Sequence, residues 1–201
     1  MDYTIRVYKV EKENSNLKGF VSITFDRSFC AKNIALKESS KGNLYLEMPK
    51  FKDYQTEEYV SFYSFKDGDF RKAVTEQVID AYQMIAADKK MIDIEKTWDE
   101  EELYYALNVT PIHGSNTFKA EAAIKIQDIF VVQQLRIIQG WNGKTFVGMP
   151  QRENRQKQEK EDIAHPVNAD FKKELEKAII DDYHNKLERQ KQNYNHNKYD
   201  R

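Results

Sequence analysis

One cysteine, four prolines and seven glycines in 201 residues leave this chain little covalent or turn-imposed scaffolding. Cys30 stands alone, which excludes an intrachain disulfide and a cysteine-rich zinc site. No apolar run approaches the length that a bilayer span requires. The opening MDYTIRVYKV has no apolar signal core. Neither a membrane partner nor export is expected, and the expected location is cytoplasmic. An excess of one charge is missing too: 32 Lys+Arg face 33 Asp+Glu, for a net of -1. That excludes a uniformly basic nucleic-acid coat but not a local patch. G-x-x-x-x-G-K-[ST], G-x-G-x-x-G and H-E-x-x-H are all absent, so no enzyme activity, cofactor or metal is expected. What is present is a 40% hydrophobic fraction, enough for a core despite 32% charged residues, so wholesale disorder is excluded.

The sequence repeats itself. Ser22-Ile23-Thr24-Phe25-Asp26-Arg27-Ser28-Phe29 returns as Ala123-Ile124-Lys125-Ile126-Gln127-Asp128-Ile129-Phe130, an offset of 101. The offset holds without a gap at Gly42/Gly143, Met48-Pro49/Met149-Pro150, Phe70/Phe171, Lys72/Lys173, Ile79-Asp80/Ile180-Asp181 and Tyr82/Tyr183. A Met-Pro pair, a glycine turn and a helix end kept in register mark a duplication. The units span 1–86 and 103–190, joined by a connector over 87–102. Unit one carries 13 cations and 13 anions, the connector 3 and 7, and residues 103–201 carry 16 and 13. The near-neutral total thus hides an acidic connector and a mildly basic second half. The polar end, 191–201, rich in Asn and Gln, is expected to be disordered.

Each unit reads as strands followed by a helix. Tyr3, Ile5 and Val7 alternate with Thr4 and Arg6, the pattern of a half-buried strand, and Val21 to Phe25 repeats it. Phe130-Val131-Val132 and Leu135-Arg136-Ile137 give two further β-rich stretches, or one bent strand. Asn142-Gly143 signals a hairpin, because both positions tolerate φ > 0, and Lys41-Gly42-Asn43 is its counterpart. Met-Pro closes the strand that follows, since proline cannot donate to a ladder. Phe171, Leu175, Ile179, Tyr183 and Leu187 make one apolar stripe at four-residue steps, and Phe70, Val74, Val78 and Tyr82 repeat it. Asp67 or Asp69 can cap the first helix, Asn168 or Asp170 the second. The expected class is α+β: two similar units, each a small antiparallel sheet followed by a C-terminal helix.

These residues resemble the SpoVG (septation protein) family of bacteria. Unit two carries Ala123-Ile124-Lys125-Ile126, Phe130-Val131-Val132, Asn142-Gly143 and Met149-Pro150-Gln151-Arg152. It continues with Asp162-Ile163-Ala164-His165-Pro166-Val167-Asn168, the most specific element, and Asp182-Tyr183-His184. Unit one carries Ser22 to Asp26 and Met48-Pro49-Lys50, but departs at the central motif, which reads Phe62-Tyr63-Ser64-Phe65-Lys66-Asp67. The resemblance implies a small α+β domain, usually a homodimer, that binds DNA and RNA and regulates septation and sporulation. A tandem copy would place both halves of such a dimer in one chain, at high effective concentration; each unit pairing with another chain is the alternative.

Nucleic-acid binding needs cations matched to phosphates, because counterion release supplies most non-specific affinity. One candidate set lies after Met-Pro: Arg152, Arg155, Lys157 and Lys160 in unit two, interspersed with Glu153, Glu159 and Glu161, with the weaker Lys50-Phe51-Lys52 in unit one. A second lies at the helix starts: Arg71 and Lys72, then Lys172, Lys173 and Lys177, where amide groups can add to anion binding. Acidic residues interrupt every basic run, so solvated surface lysines are the competing reading. Other residues attract attention for less. Asp162, His165 and His184 suggest a hydrolytic or metal cluster, but the offset partners of the histidines are Ser64 and Gln83, so a structural role is expected. Cys30 aligns with Val131 and reads as core. Trp141 beside the hairpin turn can stack a base or pack on its own hairpin, and the latter is expected. The leading expectation is a DNA- or RNA-binding regulator. The alternative is a protein-interaction adaptor that offers strand edges or a helix groove.

Overall fold

The computed structural model describes residues 1–53, 56–154 and 158–199. Unit one contains β1 (Asp2–Lys9), β2 (Leu17–Phe25), β3 (Phe29–Glu38) and β4 (Leu44–Glu47). The short β5 (Lys50–Lys52) and β6 (Tyr59–Ser61) come next, then β7 (Tyr63–Phe65) and α1 (Gly68–Met84). β8 (Met91–Thr97) lies between the units. Unit two repeats the order with β9 (Tyr105–Pro111), β10 (Phe118–Ile126), β11 (Phe130–Gln139), β12 (Thr145–Gly148), β13 (Gln151–Asn154), β14 (Glu159–Asp162), β15 (Ala164–Pro166) and α2 (Ala169–Tyr199). The fold is α+β with two similar halves, each of antiparallel strands followed by a helix.

The backbone repeats as faithfully as the sequence. Positive φ at Asp26, Arg27, Asn33 and Gly42 recurs at Gln127, Asp128, Gln134 and Gly143. Asp26-Arg27 and Gln127-Asp128 are paired left-handed turns, whose twist suits the strands on either side. Asn33 and Gln134 sit opposite the register breaks at Val21/Ile23 and Ala122/Ile124, so each long strand carries a bulge. The two β-rich stretches near Phe130 and Leu135 are therefore one strand, bent at Gln134. The stripes predicted for both helices face the core: Phe70, Val74 and Val78 in α1 and Leu175, Ile179 and Tyr183 in α2 are buried.

The sheets are not built unit by unit. β7 of unit one leaves its own sheet and pairs with β11 of unit two, Tyr63 opposite Val132 and Phe65 opposite Phe130. β15 of unit two pairs in turn with β3 of unit one, Ala164 opposite Ala31 and Pro166 opposite Phe29. Flanking bonds repeat the exchange: Gln133 N–H donates to Phe62 O at 2.9 Å, and Lys32 N–H to Ile163 O at 2.6 Å. One apolar core results, linking both units. At its centre Phe130 meets Phe25 (5.1 Å between ring centroids), Phe65 (5.2 Å) and Tyr63 (5.7 Å). Phe65 also meets Phe70 of α1 at 5.8 Å. The buried Tyr63 hydroxyl donates to Ile163 O at 2.5 Å, a second link between units.

Two segments differ from expectation. Within the acidic connector, β8 pairs along β1, and Arg6 forks onto Asp93 with two contacts of 2.6 Å. Ile92 and Ile94 alternate there with charged residues, a short edge-strand pattern hidden by the acidic composition. The tail expected to be disordered instead continues α2 through Tyr199. Extending an existing helix needs no new nucleus, and Glu188, Arg189, Gln190, Lys191 and Gln192 are good helix formers.

Candidate nucleic-acid interface

Both helix starts are built alike. The Oδ1 of Asp67 accepts from Phe70 N–H at 2.7 Å, and the Oδ1 of Asn168 accepts from Phe171 N–H at the same distance. These side chains satisfy one orphan amide each and fix where the next turn points. Arg71 and Lys72 follow the first cap and Lys172 and Lys173 the second, all four exposed. The apolar stripe turns inward, which leaves these positions in solvent.

A groove opens beside each helix start. In unit one it has a volume of 590 Å³ and is bordered by Met48, Ser64, Phe65, Arg71 and Lys72. In unit two its volume is 760 Å³, and Met149, His165, Pro166 and Lys172 stand where Met48, Ser64, Phe65 and Arg71 stand in the first. The second groove also gains Lys32 and Lys160, partly balanced by Glu161 and Asp162. Lys32 belongs to unit one and reaches this place through the strand exchange. Sequence reasoning missed it, because nothing local marks a lysine in a strand as part of another unit's surface; only the pairing of β15 with β3 does.

The predicted cations are not equally free. Lys177 Nζ lies 2.6 Å from Asp181, a contact that raises its pKa. Lys172 lies 3.8 Å from Glu176. Exposed pairs of this kind are worth little and exchange readily. Lys50, Arg71, Lys72, Arg152 and Lys173 form no ion pair among the described residues, although Arg152 faces Glu161 across the β13–β14 ladder. Lys50 and Arg152 stand on the two short hairpins, and of the predicted cations Lys160 and Lys172 line the larger groove. Arg155 and Lys157 lie outside the described residues.

The other singled-out residues resolve differently. Asp162 accepts from Gln151 Nε2 at 2.9 Å, His184 rests on Tyr183, and His165 Nδ1 has no hydrogen-bond partner. The three share no hydrogen bond, and among the described residues no three His, Cys, Asp or Glu side chains converge to hold a metal. Burial holds the His165 pKa below its ordinary range, with Lys32 adding to the effect and Asp162 opposing it. Cys30 is 7% exposed, and burial raises its thiol pKa, so it is a core residue as expected. Trp141 is fully exposed at the loop tip rather than packed on its own hairpin.

The SpoVG family profile matches residues 1–84 and 104–185, both units in register with the repeat. The chain belongs to the SpoVG family. A SpoVG protein named for septation from Caldanaerobacter subterraneus subsp. tengcongensis is 36% identical over 77 residues, which is 82% of that protein and 38% of this chain. One from Clostridium perfringens (strain 13) is 34% identical over 77 residues, 83% of its length and 38% of this chain, and one from Treponema denticola is 35% identical over 77 residues, 81% and 38%. Each relative is thus of single-unit length, whereas this SpoVG chain has two units. No helix among the described residues is long and apolar enough to cross a membrane.

Proposed function

We propose that this two-unit SpoVG protein is a nucleic-acid-binding regulator, acting in septation as the names of its relatives suggest. It grips the phosphate backbone with its helix starts and short basic hairpins. The observation that carries the reading is the exposed basic pair after Phe70, which recurs after Phe171 beside an equivalent capped helix end. Two such ends, fixed to one core by the exchanged strands, present cations to two stretches of backbone. Phosphate contacts position a protein but carry little sequence information, so modest affinity and steep salt dependence follow. Anisotropy titrations of labelled duplex DNA and RNA at several salt concentrations test it. Binding at low salt should weaken as salt rises, and Lys172→Glu/Lys173→Glu should weaken it about tenfold or more. No binding at low salt, or binding indifferent to that double variant, refutes it.

The reciprocal strand exchange supports a second element of the proposal: the chain acts as a single molecule that supplies both halves of its own pseudo-dimer. Light scattering should then give a molar mass near the chain's 23.8 kDa. The adaptor reading is supported by open sheet edges such as those of β8 and β9, neither of which has a second strand partner among the described residues. On β9, Lys186 Nζ donates to Val109 O at 2.6 Å, a cation on an edge that discourages further pairing. An adaptor would retain a protein partner through nuclease treatment and high salt.

A further inference from the structure

Unit two bears an aromatic row that unit one matches only at Tyr45, the partner of Phe146. Phe118, Ile138 and Phe146 are consecutive cross-strand neighbours on β10, β11 and β12, and so form one row across the sheet. They stand on the face turned away from the core, and the two rings are 41% and 50% exposed. The Arg136 guanidinium sits 5.2 Å from the centre of the Phe118 ring, and its NH2 donates to Gln134 Oε1 at 2.6 Å, which holds it there. The row lies in a 570 Å³ groove that is also lined by Phe51 and Lys52 of β5 in unit one and by Gln151, Glu153 and Lys160 of the β13–β14 hairpin. Lys52, Arg136 and Lys160 are the cations of that groove, and Glu153 is its one anion. A second groove, of 500 Å³, shares Ile138 and Phe146 and runs on to Trp141. The apolar row is therefore continuous from the cationic groove to a fully exposed indole.

The fold does not demand this surface. At the offset positions unit one has Leu17 for Phe118, Ala35 for Arg136, Lys37 for Ile138, Tyr45 for Phe146 and Ser40 for Trp141. Its nearby cations are engaged in short ion pairs, Lys37 with Glu47 and Lys18 with Glu38. Equivalent backbone thus carries ion pairs around a single exposed ring, Tyr45, on one unit and a row of open rings with net positive charge on the other.

We propose that this face of unit two binds single-stranded nucleic acid, its unpaired bases stacking on Phe118, Phe146 and Trp141 and its phosphates lying along Lys52, Arg136 and Lys160. Every base presents a π-face, so exposed rings in a cationic groove suit an unpaired strand of any sequence. A duplex keeps its bases stacked on each other and offers these rings nothing, whereas an apolar protein partner would gain little from the three cations. The proposal rests on the nucleic-acid reading above and narrows it to unpaired strands at this second surface.

The test compares labelled oligo(dT), oligo(rU) and a duplex of equal length by anisotropy, and follows tryptophan emission during the same titrations. The intact chain should bind the single strands more tightly than the duplex, with quenching on single strands alone. Phe118→Leu/Phe146→Leu/Trp141→Leu keeps the apolar volume and removes the rings. It should lose single-strand affinity tenfold or more with duplex affinity unchanged, since only unpaired bases can stack on the rings. Trp141→Leu alone, at a fully exposed position that cannot affect folding, should abolish the quenching. A triple variant with unaltered single-strand affinity overturns the proposal and leaves the duplex reading standing. So does a molar mass that rises with concentration in the intact chain and not in the variant, which would assign the face to a second copy. A chain that binds neither form of nucleic acid overturns both.

Discussion

β7 and β15 occupy equivalent places in the strand exchange but bring different residues to it. β7 delivers Tyr63 and Phe65 to the sheet of unit two, where both rings meet Phe130. β15 delivers Ala164, His165 and Pro166 to the sheet of unit one, where Phe29 meets the ring of Phe171 at 6.5 Å instead. The backbone bonds of the two exchanges are the same, so hydrogen bonding sets the architecture on both sides. The side chains do not match: one junction is an aromatic cluster, the other is small and carries a buried histidine nitrogen. A duplicated gene is thus free to change packing and chemistry on one side while the other holds the fold. The surfaces have parted in the same manner: around the exposed Tyr45 unit one has paired charges, where unit two has the row Phe118, Ile138 and Phe146.

The largest test of that contrast lies in the core. Phe130→Ala removes a fully buried ring that touches three others, and should cost about 3–5 kcal/mol. Phe29→Ala, at the equivalent position with one ring neighbour, should fall at the lower end of that range in chemical denaturation. Equal losses would show that the aromatic junction is no stronger than the small one. Next comes Tyr63→Phe, which deletes the buried bond to Ile163 O. Because Lys32 N–H still satisfies that carbonyl, the expected loss is only about 0.5–1.5 kcal/mol, read as a shift in denaturation midpoint with unchanged slope.

The smallest effect concerns pH. Burial favours the neutral imidazole of His165, so its folded pKa lies below the ordinary 6.5. Below about pH 6.5 the unfolded chain takes up a proton that the folded chain resists, and stability therefore falls as pH drops through the depressed folded value. His165→Ser, which installs the residue found at Ser64, should flatten the stability difference between pH 7.5 and pH 5.5. An unchanged slope would place the pH dependence in other groups.

Much of this was legible in the chain. The offset of 101 gave the duplication, the four-residue stripes gave both helices, and the glycine and Met-Pro signals placed the β3–β4 and β11–β12 hairpins. Each is a local pattern, written in residues a few positions apart. Asp67 and Asn168 were recognisable as caps for the same reason. The basic pairs at the helix starts were visible too, because a helical stripe states which positions face solvent. The turn at Asp26-Arg27 was not signalled, since neither residue is a glycine and the left-handed pair is imposed by the strands it joins. β8 was masked by the acid-rich composition around it.

The sequence alone determined two similar strand-then-helix units and the positions of their cations, because hydrophobic periodicity and capping act within a turn or a strand. Only the tertiary structure decided that β7 and β15 change places, that Lys32 lines the groove of the other unit, and that Phe118, Ile138 and Phe146 align into one surface. Those outcomes depend on hydrogen bonds between residues about seventy to over a hundred and thirty positions apart and on register across strands. Such bonds are selected by the packing of the whole core rather than by neighbours along the chain.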